Sequence, residues 1–160
     1  MKNKKIVIAV IIIAIIATFG IAAYLYMTKE EPIPVQLDLA TVNTKISSEG
    51  GFDEMRMVEV DEDTLKTTFG IDETAVSEFV GKVPLVNITS SMYVILKAKD
   101  GQVDAVKQKL EAYGTSYEKE WESYLPEQYN LVKQRQIGNI GNYVYCIVAD
   151  NAKELVELIK

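Results

Sequence analysis

Three carboxylates, Glu118, Glu120 and Glu127, lie close together in the chain, and two such groups at a suitable separation can act as acid and base on a glycosidic bond. A carboxylate-dependent enzyme acting on an envelope glycan is therefore one reading. Against it, 23 acidic residues among 160 bring such pairs together by chance, and no motif ties a nucleophile to a base. The chain has no histidine, which removes the usual general base near neutral pH, the commonest transition-metal ligand and every imidazole-dependent triad. Cys146, the one cysteine, sits in the apolar run 143–149 and reads as a small buried hydrophobe, since a reactive thiolate needs a basic, partly exposed setting. Asp61, Glu62 and Asp63 open like a calcium loop, but no turn glycine or ligand-bearing second half follows, so they read as helix-capping acids. Weak cation binding on the acidic surface is the remaining metal chemistry. The glycines and asparagines of Gly138, Asn139, Gly141 and Asn142 precede a strand and lack a following lysine or serine, so they read as a turn and not a phosphate loop. The expectation is a noncatalytic chain with no catalytic, metal or cofactor residues.

The elements that would position any site follow from periodicity. Leu39, Val42 and Ile46 recur at helical spacing after a capping Asp38, and Gly50 and Gly51 end that helix. Residues 55–60 alternate, as a short extended or edge segment does. Asp61 and Asp72 cap two short helices, the first with Leu65 and Phe69 facing inward. Residues 77–88 and 92–98 are rich in Val, Ile, Phe and Tyr and flank turn formers, which predicts a hairpin; Pro84 places the first of these strands at a sheet edge or starts it after the proline. Val103, Val106, Leu110, Tyr113, Tyr117 and Trp121 predict a long amphipathic helix, weakened in its middle by Gly114, which leaves room for a bend or a break there. Pro126 begins another short helix carrying Tyr129 and Val132. A second hairpin ends in the strand 143–149. A closing helix is capped by Asp150 or Asn151, with Glu154 completing a capping box and Leu155, Leu158 and Ile159 facing in. This order predicts an α+β domain: an antiparallel sheet of about four strands, in two hairpins, with helices on one face.

Ahead of that domain, the 22 positions Ile6 to Met27 carry no charge and follow a basic leader at 1–5. At about 1.5 Å per residue the run spans about 33 Å as a helix, enough to cross a hydrocarbon core of about 30 Å. Lys2, Lys4 and Lys5 predict a cytoplasmic N-terminus, and Tyr24 and Tyr26 suit the outer headgroup level. The expectation is a single-pass anchor at 6–27, a stem at 28–37 containing Pro32 and Pro34, and an extracytoplasmic domain at 38–160. Cleavage after Ala22 is the competing reading, but a secretory core is usually about 7 to 15 residues long. No cysteine follows the run to carry a lipid.

Four of the 17 basic residues, Lys2, Lys4, Lys5 and Lys29, precede Glu30, so the part from Glu30 onward has 13 basic and 23 acidic residues, a net −10. Such a domain is repelled by nucleic acid and by anionic headgroups. A single cysteine outside the membrane forms no internal disulfide, leaving stability to core packing.

Phe69-Gly70-Ile71-Asp72, the strand Tyr93 to Lys99, Tyr124-Leu125-Pro126-Glu127-Gln128-Tyr129 and Gly141-Asn142-Tyr143-Val144 stand here in an order and spacing that resemble an uncharacterised extracytoplasmic domain family of Gram-positive bacteria, the domain of unknown function 4358. The resemblance runs over about 38–160. It implies a cell-envelope setting and supplies no catalytic residue. Many members of that family resemble lipoproteins with a cysteine at the membrane end, which this chain lacks. The functional expectation is an interaction or sensing module on the outer face of the cell membrane, meeting an envelope protein or polymer. Tyr124, Tyr129 and Tyr143 form the candidate contact patch, because tyrosine offers large contact area at little entropic cost; the competing reading places these rings in the core.

Overall fold

The computed structural model describes residues 35–160. The leader expected at 1–5, the span at 6–27 and the stem up to residue 34 lie outside the described residues. Among the described residues no helix is long and apolar enough to cross a membrane.

The element order is α1 (Leu39–Glu49), β1 (Met57–Glu59), α2 (Glu62–Thr67), β2 (Val76–Pro84), β3 (Met92–Ala98), α3 (Val103–Trp121), α4 (Pro126–Lys133), β4 (Gln136–Ile140), β5 (Tyr143–Val148) and α5 (Ala152–Glu157). All five strands pair antiparallel in one sheet of order β1-β2-β3-β5-β4. The α+β class and both hairpins are as expected. The sheet has five strands instead of about four, because the alternating segment at 57–59 pairs with the end of β2.

That pairing corrects the reading of Pro84. Pro84 is the last residue of an interior strand, opposite Met57, and the edge belongs to β1. A proline at a strand terminus removes no interior ladder bond, so it does not force its strand to the rim.

Helices cover both faces and not one. On one face Val94, Leu96, Val144, Cys146 and Val148 pack against Leu65, Leu110, Trp121 and Val132 of α2, α3 and α4. On the other, Tyr93, Ile95, Tyr143 and Ile147 pack against Val42 and Ile46 of α1 and Leu155 and Ile159 at α5. The physical reason is visible in the two central strands. Residues 92–96 and 143–148 are almost uninterrupted apolar runs, the pattern of strands buried on both sides. Burying a Leu, Ile or Val side chain contributes about 1.5 to 3 kcal/mol, so two complete layers stabilise a domain that has no disulfide.

Local chemistry fixes the helix starts. The Asp38 carboxylate accepts from Ala40 N at 3.1 Å and Thr41 N at 3.4 Å, capping α1. Asp61 accepts from Thr64 N at 2.8 Å ahead of α2, and Asp72 from Thr74 N at 2.9 Å ahead of a short 3-10 turn; Phe69, expected on α2, lies beyond its end yet is buried. At α5 the capping box does not form. Asn151 turns its amide away and donates to the Glu49 carbonyl at 2.9 Å, tying the end of α1 to the start of α5.

The domain begins earlier than position 38. Tyr143 Oη accepts from Leu37 N at 3.1 Å and donates to Leu37 O at 3.3 Å, while Val35 packs beside Gly141 in the β4–β5 turn. The chain therefore enters at the end of the sheet where β5 starts and β4 finishes. The opposite end, where β3 starts and β2 and β5 finish, is about 23 Å away along the seven residues of β3.

Candidate interaction surface

The β2–β3 turn, the segment before β1 and the C-terminal end of α3 lie at that far end, and there the domain exposes apolar side chains. Met55 is 90% exposed, Leu85 62%, Tyr124 58% and Ile88 49%, with Val86 and Leu125 also on the surface. The Leu85 amide donates to the Arg56 carbonyl at 2.8 Å, which sets the loop after β2 alongside the segment before β1. On its other flank the loop is joined to the start of α4. The Ser90 amide donates to Gln128 Oε1 at 2.7 Å, and the Ser90 hydroxyl lies 3.0 Å from Oε1 and 3.1 Å from the Gln128 carbonyl. Tyr117 adds a hydrogen bond from its hydroxyl to the Ser90 carbonyl at 3.3 Å. Ser90 is completely buried and satisfied, so the loop is pinned from below while Leu85, Val86 and Ile88 point outward.

An aromatic row leads from the core to this surface. Phe69, Tyr113, Tyr117, Trp121 and Tyr124 follow one another at ring separations of 4.7, 5.2, 6.0 and 5.6 Å. Burial pushes the Tyr113 and Tyr117 hydroxyls well above their ordinary range, so both are neutral donors. Tyr113 uses its proton on Met92 Sδ at 3.2 Å. The Trp121 indole N–H is buried and makes no well-aligned hydrogen bond among the described residues, yet it lies close enough to the Tyr117 hydroxyl to oppose the effect of burial on that group.

The three tyrosines expected to share a patch are separated. Tyr124 stands exposed on the apolar end. Tyr129 is half buried against the α3 side of the core, its ring facing Lys133 Nζ at 5.1 Å. Tyr143 is completely buried on the opposite face, where its hydroxyl holds the Leu37 backbone. A single patch of the three therefore does not exist, because the central strand carrying Tyr143 is covered by a helix layer. Leu85, Val86 and Ile88 were hidden inside what reads as a strand; the one sequence signal for them is the uncharged stretch from Val83 to Leu96 in an acidic domain.

Among the described residues, no hydrogen bond or ion pair brings the three carboxylates weighed for chemistry to face one another across a cleft: only Glu118 has a charged partner. Glu118 accepts from Arg135 Nη1 at 2.7 Å, and Glu120 and Glu127 stand exposed on α3 and α4. Burial pushes the Cys146 thiol up to about 12, leaving it protonated at neutral pH. Gly138 to Asn142 form the end of β4 and its turn, as expected, with Gly141 at φ +55°. Among the described residues no group of three or more Cys, Asp or Glu side chains converges.

One polar constellation was not legible. Lys82 Nζ donates to Ser47 Oγ at 3.0 Å, the spacing of a serine nucleophile and lysine base. Glu54, however, pairs with the Lys82 ammonium and also accepts from Ser47 at 2.5 Å. The ammonium has only donors to offer, so it cannot take the serine proton. The hydrogen bond from Lys82, then that from Ser47, holds the Glu54 carboxyl below its usual range. The trio acts as a clasp joining α1, the turn before β1 and β2.

A family model described as Domain of unknown function (DUF4358) matches residues 51–149, more than half of the chain. The chain belongs to this family. The matched residues run from β1 to the end of β5, so the DUF4358 region contains the whole sheet, the Ser90 anchor and every exposed apolar residue named above. α1 and α5, which close the second face, lie outside it. No curated protein and no solved structure matches the chain.

Proposed function

We propose that this chain is a noncatalytic interaction or sensing module of the bacterial cell envelope, anchored by the apolar run at 6–27 with its DUF4358 domain outside the membrane. The observation that carries the reading is the apolar end of the sheet. A soluble domain of this size rarely keeps several large apolar side chains exposed together unless they meet another surface. The chain enters the domain at the opposite end, so attachment through the N-terminal segment does not compete for that surface. The basic leader and the length of the apolar run support the anchor and its direction.

A labelling experiment tests the placement outside the membrane. In cells carrying the full chain with Ile88→Cys, a membrane-impermeant maleimide should label position 88 before lysis, while the buried native Cys146 stays unlabelled. Labelling that appears only after lysis contradicts the extracytoplasmic placement.

A further inference from the structure

The apolar end has a charged border, and its sign narrows what can cover it. Glu122 and Glu127 bracket Tyr124 and Leu125 in the chain, and both are exposed. On the other flank Asp53 and Glu54 lie beside Met55, where Arg56 pairs with Asp53 at 3.2 Å and Lys82 pairs with Glu54. Those cations balance their own partners only. Around Tyr124 and Leu125 the exposed charges on α3 and α4 are Lys119, Glu120, Glu122, Glu127 and Lys133, a net −1, with Glu122 and Glu127 the nearest of them in the chain.

We infer that this surface docks a cationic amphipathic protein segment, one whose apolar side chains seat on Leu85, Ile88 and Tyr124 while its lysines or arginines meet Glu122 and Glu127. This rests on the interaction reading above and names the chemistry of its partner. A second copy of the chain is the poorer occupant, because a two-fold contact through this end brings the same net-acidic border in from both sides. An anionic leaflet is repelled by the same border. The loop needs little ordering on contact. Ser90 is held by Gln128 and Tyr117, so its apolar side chains are displayed before the partner arrives.

The described domain is a compact unit in which both apolar layers are closed by residues from 35 onward, so 35–160 serves as the test protein once a cooperative thermal transition is seen. The probes are a synthetic helical peptide of leucine and lysine, the matched leucine and glutamate peptide, and phosphatidylglycerol vesicles. Trp121, the only tryptophan, lies against Tyr124 and reports by fluorescence. The lysine peptide should bind saturably, and at least about tenfold tighter than the glutamate peptide. The pair Leu85→Ser with Ile88→Ser should weaken it about tenfold, and Glu122→Gln with Glu127→Gln should weaken it severalfold and flatten its salt dependence. Binding that ignores either pair of substitutions, or no binding, overturns the inference. Tighter binding to the vesicles assigns the surface to a leaflet, and self-association abolished by the Leu85 and Ile88 changes assigns it to a second copy; each also overturns it. None of these outcomes bears on the membrane placement, which fails only if position 88 is inaccessible in intact cells.

Discussion

Arg135 lies across Gly114 in the middle of α3: a β-carbon built on that glycine would stand 2.6 Å from Arg135 Nε and 3.0 Å from Ile137 Cδ1. The guanidinium is not free to withdraw, since Nη1 donates to Glu118 at 2.7 Å and to the Val132 carbonyl at 2.9 Å. The glycine that leaves room for a bend or a break in α3 instead lets β4 and its preceding arginine pack close against a helix that runs unbroken from Val103 to Trp121.

Gly114→Ala should therefore destabilise the domain by about 1 to 3 kcal/mol, although alanine is better in a helix by about 1 kcal/mol. Urea denaturation of the two proteins measures the difference. A variant as stable as the parent, or more so, would show that Arg135 shifts without cost.

Ser90→Ala removes the hydroxyl that meets Gln128 and should cost about 1 to 3 kcal/mol because buried polar groups lose a partner. Hydrogen exchange should rise selectively at residues 85–91. Uniform protection across the domain would contradict the pinning of that loop.

At high pH the buried acids decide the outcome. Cys146 is raised to about 12 from an ordinary 9.0, and Tyr93 to about 12 from 10.0, both chiefly by burial. A group whose pKa is raised by folding stabilises fully below its unfolded value, and that stability is lost as pH rises toward the folded value. Stability should hold to about pH 9 and decline between there and 12. Cys146→Ala should shift the start of that decline toward the tyrosine range, read as melting temperature against pH.

On the acid side, Glu54 is lowered by Lys82 first and Ser47 second, so its contribution is present above its unfolded value of 4.5 and lost as pH falls through the lower folded value. Glu54→Gln should make the acid limb of the melting curve shallower below about pH 4.5. An unchanged limb would mean that the clasp with Lys82 contributes nothing in solution.

Local structure was legible wherever neighbours in sequence decide it. Asp38 with Leu39, Val42 and Ile46 marked α1, and the periodic run ending at Trp121 marked α3. Legibility failed where distant residues compete. Asn151 looked like a cap but bonds the Glu49 carbonyl, and Tyr143 looked like contact area but anchors Leu37. Pro84 gave no clue that a three-residue strand from before it in the chain would take the edge. The apolar end was the hardest part to see, because Leu85, Val86 and Ile88 have the composition of a strand interior; only the close of β2 at Pro84 and the Ser90 anchor turn them outward.

The most direct measurement places a photocrosslinker at position 88 of the full chain in intact cells, and in a second protein at Thr115, which is exposed on α3. A discrete protein adduct from position 88, lost with Leu85→Ser and not formed from 115, is the predicted result. Equal adducts from both positions, or none from 88, would contradict the assignment of the apolar end as the working surface.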